Sequence, residues 1–359
     1  MPFDYSSLLR PELAELRAYV PDLAEYSIRL DANEAPPLLG EAARQRLAEA
    51  AAMSWERYPD PTAAALRESI ARRCGVTTAE VLVGVGSDEV IATLLTACGR
   101  TRRGPPVVLT TTPTFVMYKM SAKVRGMNVV EVPLDEDWDV PVVSLKRALD
   151  VVAPGLVFIA SPNNPTGTMA ASDRLREVVE CAPETLFVID EAYVDYASRD
   201  QLDLYHRFPN VAVMRTLSKI GFAALRVGWM IGHPDLIAAL DKVRQPYNVN
   251  AVSQRLAGVV LDELSAEVDG IVRTVKEERE RLAREISAIP GFGVAPREAN
   301  FLWMSSTRSA EQIHRSLAER GILVRSFHRM GGRLAHQLRI TVGTRDQNDA
   351  LLRALREVS

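Results

Sequence analysis

Residues 186–193 have the sequence LFVIDEAY: four apolar residues are followed at once by two carboxylates, an alanine and a tyrosine. A short, continuously apolar run is typical of a strand that is buried on both faces of a sheet. A carboxylate that closes such a strand must find a cationic partner or become neutral. We therefore expect Asp190 to face a cation, such as a protonated ring nitrogen, or else to cap the segment that follows.

Similar runs lie on either side of this one, and helix-length segments separate several of them. The predicted strands are Val81–Gly86, Val107–Thr111, Val129–Leu134, Leu156–Ser161, Leu186–Asp190, Val211–Leu217 and Val227–Gly232. The predicted helices between them are Ser87–Cys98, Ser144–Val152 and Ala171–Cys181. Continuously apolar strands that alternate with helices predict an α/β fold, in which helices cover both faces of a mostly parallel sheet.

The pattern changes after about residue 250. A charged helical stretch, Val275–Ile289, precedes three shorter predicted strands, Ala299–Met304, Ile322–Ser326 and Leu338–Val342, and a final helix. This order predicts a smaller α+β domain. We expect residues 1–34 to form an N-terminal arm and part of the small domain, residues 35–249 the large ligand-binding domain, and residues 250–359 the small C-terminal domain.

Composition excludes several classes of protein. The 43 basic and 46 acidic residues give a net charge of −3, which argues against partners such as nucleic acid or an anionic membrane. The sequence has no apolar run long enough to span a bilayer, and residues 1–10 lack the apolar core of a secretory signal. The scattered cysteines and unpaired histidines predict reduced thiols in the cytoplasm and no metal site.

Ligands of open parallel sheets bind beyond the carboxyl ends of the strands, and polar residues cluster at those ends here. Gly86-Ser87-Asp88 follows a strand and opens a helix, where backbone N–H groups can hold a phosphate. The alternative is that Ser87 or Asp88 is an ordinary helix cap. Asn164, in the loop SPNNPTG of residues 161–167, either presents an amide to the crevice or belongs to a simple turn.

Another strand end carries Thr216-Leu217-Ser218-Lys219, and Arg226 follows. A lysine beyond a buried strand can form a Schiff base with a carbonyl compound, while a neighbouring hydroxyl and an arginine bind an anion. The alternative is a solvated lysine. An amide, a carboxylate, a tyrosine, a hydroxyl, a lysine and an arginine lie on successive strand ends, and this combination favours one shared site.

These motifs resemble those of fold-type I pyridoxal-phosphate (PLP) enzymes, and among them the histidinol-phosphate aminotransferase family. The resemblance covers nearly the whole chain. It rests on Leu30–Pro36, Arg57–Asp60, Gly84–Glu89, Pro113–Phe115 with Tyr118, Ser161–Gly167, Asp190–Tyr193, Arg215–Lys219 and Leu338–Gly343. Ala35 stands where the family has asparagine, Asp31 is a second departure, and Lys219 and Arg226 are seven residues apart where many relatives have eight.

The resemblance implies PLP as the cofactor and gives each residue a role toward it. Lys219 would hold the cofactor covalently and then act as general acid and base. Asp190 would pair with the pyridinium nitrogen, Tyr193 and Asn164 would bind the ring oxygen O3′, and Tyr118 would stack on the ring. The residues implied for the phosphate are Gly86, Ser87, Asp88, Ser218, Arg226 and Tyr58, with Tyr58 reaching it from the second subunit of a homodimer. Thr216 is a further expected cofactor contact.

Substrate binding is also implied by the resemblance. Arg339 would clamp the α-carboxylate of glutamate with two hydrogen bonds, and the same site would accept the phosphate of histidinol phosphate. Arg325 and Tyr19 would supply further donors to that phosphate, although Arg325 could equally be an exposed arginine at a strand end. Asn33 and Asn164 complete the expected substrate contacts.

The resemblance thus predicts a transaminase that converts L-histidinol phosphate and 2-oxoglutarate into imidazole acetol phosphate and L-glutamate. An aromatic amino-acid aminotransferase or a threonine-phosphate decarboxylase would keep Lys219, Asp190 and Arg226 and differ in the substrate pocket. The effector half of a transcription regulator is the non-enzyme alternative. Such a regulator needs an N-terminal DNA-binding domain. Only about thirty residues precede Asn33, which is too few for that domain, so we expect an enzyme.

Overall fold

The structure is a computed structural model, and it describes residues 8–16, 18, 24–98 and 104–358. Within these residues the strands are β1 Ile28–Leu30, β2 Val81–Val85, β3 Val107–Thr112, β4 Asn128–Pro133, β5 Leu156–Ala160, β6 Leu186–Asp190, β7 Val211–Thr216, β8 Val227–Ile231, β9 Phe292–Val294, β10 Phe301–Ser306, β11 Ile322–Ser326 and β12 Gln337–Thr341. The helices are α1 Glu41–Ala51, α2 Ala64–Cys74, α3 Gly86–Ala97, α4 Met117–Val124, α5 Val142–Val152, α6 Ser172–Glu180, α7 Leu202–Arg207, α8 Pro234–Asp241, α9 Ala251–Asp262, α10 Ser265–Ser287, α11 Ala310–Glu319 and α12 Arg345–Val358.

The larger sheet has the strand order β2-β8-β7-β6-β5-β3-β4 in the described part of the chain. Strands β3 to β7 pair in parallel, and β8 runs antiparallel to both of its neighbours. This arrangement confirms the predicted α/β class with a mostly parallel sheet. The predicted ends of the strands in this sheet differ from the observed ends by at most one residue, and those of Leu186–Asp190 are the same.

Burial on both faces explains why the central strands are continuously apolar. Phe187 and Ile189 of β6 pack into the core on one face of the sheet, and Val188 packs into the core on the other. All three side chains are fully buried. Burying one side chain of this size contributes about 1.5–3 kcal/mol to folding, so a polar residue at any of these positions would be costly.

A smaller sheet has the order β1-β11-β12-β10-β9, in which β1 pairs in parallel with β11 and the other pairs are antiparallel. Helix α10 joins the two cores. Its first half buries Val268 and Val275 against the core of the larger sheet, and its second half buries Leu282 and Ile286 beside the smaller sheet. The helix therefore begins ten residues before the predicted start at Val275, because its apolar positions keep helical spacing from Val268 onward.

The carboxyl ends of β5, β6 and β7 meet the first turn of α3 at one edge of the larger sheet. Gly228 of β8 permits this close approach, since a Cβ atom there would lie 2.5 Å from the backbone nitrogen of Ser87. A side chain at position 228 would push the start of α3 away from the strand ends. Among the described residues, no helix is both long and apolar enough to cross a bilayer.

Candidate active site

A cleft of about 540 Å³ opens at this edge of the sheet. It brings together most of the residues that the sequence predicts for cofactor binding. The lining residues are Ser87, Asp88, Phe115, Tyr118, Ala160, Pro162, Asn164, Asp190, Ala192, Tyr193, Thr216, Ser218, Lys219 and Arg226. Within the described residues, no group of three or more histidine, cysteine or acidic side chains is arranged to hold a metal ion.

Asp190 lies at the end of β6 and is only 4% exposed. Its Oδ2 accepts a hydrogen bond of 2.5 Å from the hydroxyl of Tyr118, and its Oδ1 accepts one of 3.0 Å from the backbone of Ala192. Burial raises the pKa of Asp190 to about 6, and these hydrogen bonds only partly oppose the rise. A cationic group in the cleft would stabilise the ionised carboxylate.

Tyr118, which is expected to stack on the cofactor ring, lines the cleft and is held by two neighbours within the protein. Its ring is fully buried and stacked on Phe158, with centroids 4.8 Å apart and planes within 3° of parallel. The hydroxyl is held by Asp190, and burial raises the pKa of Tyr118 well above its usual value. Phe115, which lies edge-on to Tyr118 at 5.6 Å, is only half-buried and lines the cleft. Phe115 is therefore the more accessible of these two rings, while Tyr118, which also lines the cleft, holds the Asp190 carboxylate through its hydroxyl.

One end of the cleft is suited to an anion. The guanidinium of Arg226 lies 3.5 Å from the Ser218 hydroxyl and 3.6 Å from the Asp88 carboxylate. Gly86, at φ +72°, begins helix α3 here, and a Cβ atom at this position would lie 2.8 Å from Nη2 of Arg226. Backbone donors at a helix start, a hydroxyl and an arginine are the groups that bind a phosphate.

Lys219 ends a 3₁₀ turn, Leu217–Lys219, which directly follows β7. The Thr216 hydroxyl caps this turn by accepting a 3.1 Å hydrogen bond from the backbone of Ser218, and it donates to the carbonyl of Val227. The Lys219 side chain is half-buried in the cleft, and its Nζ lies 5.8 Å from the centroid of the Tyr193 ring. The lysine is accessible to a ligand while its backbone is fixed.

Arg339, on β12, reaches from the smaller sheet to Asn164 at the cleft, although Arg339 is not itself one of the lining residues. Its Nη1 donates a 2.6 Å hydrogen bond to Oδ1 of Asn164, and its Nη2 donates to the carbonyl of Asp31. Asn164 thus lines the cleft and contacts Arg339. Arg325, on β11, is directly opposite Arg339 in the strand register but is exposed and does not line the cleft.

Asn33 is expected to contact substrate, and the structure shows its side chain bonded within the protein. Asn33 is only 1% exposed and lies behind Tyr193, to whose hydroxyl its Nδ2 donates at 2.9 Å. Its side chain does not line the cleft. No local sequence pattern indicates this contact, because it joins residues 160 positions apart.

Two other predicted site residues lie outside the cleft or outside the described chain. Tyr58 is 83% exposed and stacks on Tyr247 with ring centroids 4.9 Å apart. It does not line the cleft of its own chain. Tyr19 lies outside the described residues.

Sequence reasoning gave no role to the ion pair between Glu191 and Arg215. The Glu191 carboxylate is fully buried, accepts a 2.8 Å hydrogen bond from Nε of Arg215, and has its pKa raised to about 7 by burial. Glu191 follows Asp190 and Arg215 precedes Thr216, so the pair ties the ends of β6 and β7 together. The sequence could have predicted this ion pair, because Glu191 directly follows the buried strand β6 and Arg215 lies near the end of the buried strand β7.

Comparison with known proteins identifies the family. The model of the family described as aminotransferase class I and II matches residues 22–355. The chain belongs to this aminotransferase family. A histidinol-phosphate aminotransferase of Caldanaerobacter subterraneus subsp. tengcongensis is 38% identical over 354 residues, which are 98% of this chain and 99% of the relative. Histidinol-phosphate aminotransferase 1 of Burkholderia lata is 39% identical over 355 residues, 97% of each chain.

A solved structure shares the fold of this aminotransferase. The histidinol-phosphate aminotransferase of Sinorhizobium meliloti, in complex with pyridoxal-5′-phosphate, superimposes with a TM-score of 0.87 at 24% identity and covers 98% of this chain and 97% of its own. At 24% identity, this structural similarity is evidence for the fold only. It agrees with the predicted arrangement of a large, mostly parallel sheet and a smaller α+β part.

Proposed function

We propose that this aminotransferase uses PLP to transfer the amino group of L-histidinol phosphate to 2-oxoglutarate, a step of histidine biosynthesis. The observation that carries the proposal is the cleft itself, which joins the half-buried Lys219 to the buried carboxylate of Asp190 and the anion-binding Arg226. The substrate is inferred from relatives at 38% and 39% identity that cover nearly the whole chain and carry the name histidinol-phosphate aminotransferase.

The cleft fits PLP in charge and shape. Asp190 lacks a cation within hydrogen-bond reach among the described residues, and a pyridinium nitrogen would supply one. Arg226, Ser218 and the start of α3 would hold the phosphate, and the side of the cleft formed by Phe115 would lie against the ring. When bound, PLP supplies an electron-poor ring that stabilises negative charge on the substrate carbon.

Side chains of the protein would attach the cofactor, transfer the proton and bind the ring oxygen. Nζ of Lys219 would attach the cofactor and then carry the proton between the two carbon atoms that exchange it. The Tyr193 hydroxyl and Nδ2 of Asn164 would donate to the ring oxygen. Oδ1 of Asn164 already accepts from Arg339, which leaves Nδ2 as the group available to the cleft.

The substrate anion would bind at Arg339, whose guanidinium can meet either a carboxylate or a phosphate with two parallel hydrogen bonds. Arg325 lies opposite it on the neighbouring strand and carries the second positive charge that a phosphate dianion needs. Both charges belong to the smaller sheet, whereas Lys219 belongs to the larger one. The substrate would therefore bind between the two sheets.

We further propose a homodimer with shared active sites, in the cytoplasm. Three exposed aromatic side chains support the dimer: Trp55 at 75%, Tyr58 at 83% and Tyr247 at 43% exposure. A second subunit would cover these rings, and Tyr58 would reach the phosphate of the neighbouring site. The domain limits near residues 34 and 249 remain our proposal.

A substrate panel tests the proposed function. Single-turnover reactions of the PLP-loaded protein with histidinol phosphate, glutamate, phenylalanine, tyrosine and threonine phosphate are followed by the change in cofactor absorbance. We expect histidinol phosphate and glutamate to react fastest. Faster reaction of the aromatic amino acids would favour the aromatic aminotransferase, and release of carbon dioxide from threonine phosphate would favour the decarboxylase.

A further inference from the structure

We propose that Thr341 and Asn33 are positioning residues that make the Tyr193 hydroxyl donate its proton into the cleft. The inference rests on the proposed function, because the group that would receive this hydrogen bond is the ring oxygen of PLP. It assigns Asn33 a role through Tyr193 in place of direct contact with substrate.

The first step is the contact between Thr341 and Asn33. The backbone N–H of Asn33 donates to Oγ1 of Thr341 at 3.0 Å, and the Thr341 hydroxyl donates to Oδ1 of Asn33 at 3.2 Å. The backbone carbonyl of Asn33 accepts a third hydrogen bond, of 3.0 Å, from Nδ2 of Asn300. A hydroxyl has a single proton, so Thr341 accepts from the backbone and gives that proton to the amide oxygen. The amide of Asn33 is thereby held in one orientation.

The second step is the contact between Asn33 and Tyr193. With Oδ1 engaged, the amide turns Nδ2 toward Tyr193 and donates to its hydroxyl oxygen at 2.9 Å. The phenol is therefore an acceptor on this side and must use its own proton elsewhere. Among the described residues the Tyr193 hydroxyl donates to no protein acceptor.

The surroundings direct that proton to the cleft. Tyr193 is 4% exposed, its ring packs edge-on against Phe301 at 5.1 Å, and it lines the cleft beside Lys219. A donor aimed at the ring oxygen favours the anionic form of that oxygen and lowers the pKa of the bound cofactor. Thr341 belongs to the smaller sheet, and Asn33 follows its strand β1. Residues of the smaller sheet would therefore adjust the pKa of PLP bound at the edge of the larger sheet.

The inference predicts a spectroscopic effect that does not require turnover. Lys219 and the phenols of Tyr118 and Tyr196 interact with Tyr193 directly, and all of them stay unchanged. Arg339, which lies over the neighbouring ring of Phe301, and Asp190, which lines the same cleft, also stay unchanged. The pKa of the bound cofactor is measured in the PLP-loaded protein from the pH dependence of its visible absorbance. The variants are Thr341→Val, which keeps the side-chain shape, and Asn33→Gly, which suits the positive φ of 57°.

We expect Tyr193→Phe to raise this pKa by about 1 to 2, the value of one hydrogen bond to a charged group. Thr341→Val and Asn33→Gly should raise it by about 0.5 to 1, because a freely rotating or absent amide no longer holds the phenol as a donor. Thr341→Ser retains the hydroxyl and should keep the wild-type value. The matched control is Thr185→Val, which removes a buried hydroxyl that donates to the Pro154 carbonyl at the far end of β6.

The outcomes separate this inference from the proposed function. If wild-type protein shows no titrating cofactor absorbance, the proposed function fails and the inference fails with it. If wild-type titrates but folded Thr341→Val and Asn33→Gly keep its pKa, the inference alone is overturned. A shift by Thr341→Val that persists in the Tyr193→Phe background would also overturn it, since the effect would not pass through Tyr193.

Discussion

Arg325 and Arg339 are directly paired across the antiparallel strands β11 and β12, so their side chains leave the same face of the smaller sheet. They differ in environment, because Arg339 is 9% exposed and bonded to Asn164, whereas Arg325 is exposed. An anion held by Arg339 would thus have a second, more exposed guanidinium on one side.

This pairing predicts that substitutions of the two arginines affect the reactions of the two substrates differently. Arg339→Ala should slow both half-reactions, since either anion loses its partner. Arg325→Ala should harm histidinol phosphate more than glutamate, because a charge-assisted hydrogen bond to the dianion contributes about 1.5–3 kcal/mol, or about tenfold or more in selectivity. Single-turnover rates measure both, with Arg315→Ala as a control that removes an exposed arginine paired with Glu311. Equal losses for Arg325→Ala would favour the aromatic aminotransferase.

Cofactor attachment gives a second prediction. Borohydride reduction of the yellow PLP-loaded protein should fix the label on Lys219, as read by peptide mass spectrometry. Lys219→Ala should lose nearly all transamination and can still bind PLP without a covalent bond. Lys242→Ala, at an exposed lysine after α8, is the control and should leave the label in place. A label on any other lysine contradicts the assignment of the cleft.

The carboxylate of Asp190 gives a third prediction. Asp190→Asn keeps the shape but removes the negative partner of the ring nitrogen. We expect the rate of transamination to fall by about two or more orders of magnitude, which corresponds to roughly 3 kcal/mol in the barrier. Asp173→Asn, at an exposed residue of the first turn of α6, controls for the substitution itself. An unchanged rate would mean that Asp190 only caps the following segment.

The raised pKa of Asp190 predicts a pH-dependent stability of the cofactor-free protein. Its pKa is about 6 when folded against an ordinary value of 3.8, so protonation favours the folded state. The stabilising contribution is complete below the unfolded pKa and is lost as the pH rises through 6. The free energy of unfolding of Asp190→Asn, measured with urea, should therefore gain about 3 kcal/mol over wild type between about pH 4 and pH 7. A difference that does not vary with pH would show that Asp190 is ionised throughout.

The exposed Tyr58 gives a prediction about shared sites. Tyr58→Phe should weaken PLP retention if its hydroxyl reaches the phosphate of the neighbouring subunit. Mixing Tyr58→Phe with Lys219→Ala protomers should give hybrid dimers in which one site carries both lesions and the other carries neither. Activity above the sum of the two parents is the expected result. No recovery, with subunit exchange verified by mass spectrometry, would mean that Tyr58 does not contribute to the site of the neighbouring subunit.

The sequence by itself predicted the class of the fold and the ends of the strands that form the cleft. Leu156–Ala160 is apolar at every position and Leu186–Asp190 at every position but the last, because both faces of the central strands are buried. The polar residue that follows such a run lies at the carboxyl edge of a parallel sheet. Asp190 and Lys219 could therefore be placed in one site before any coordinates were known.

Only the tertiary structure decided which side chains meet within that site. Asn33 bonds to Tyr193 across 160 residues, and Arg339 bonds to Asn164 across 175. Phe115 and Tyr118 stand three positions apart and both line the cleft, yet only Tyr118 is fully buried and donates to Asp190. Sequence periodicity reports which face of an element is buried. The partner of a buried polar group depends on how the two sheets pack against each other, and no local pattern encodes that arrangement.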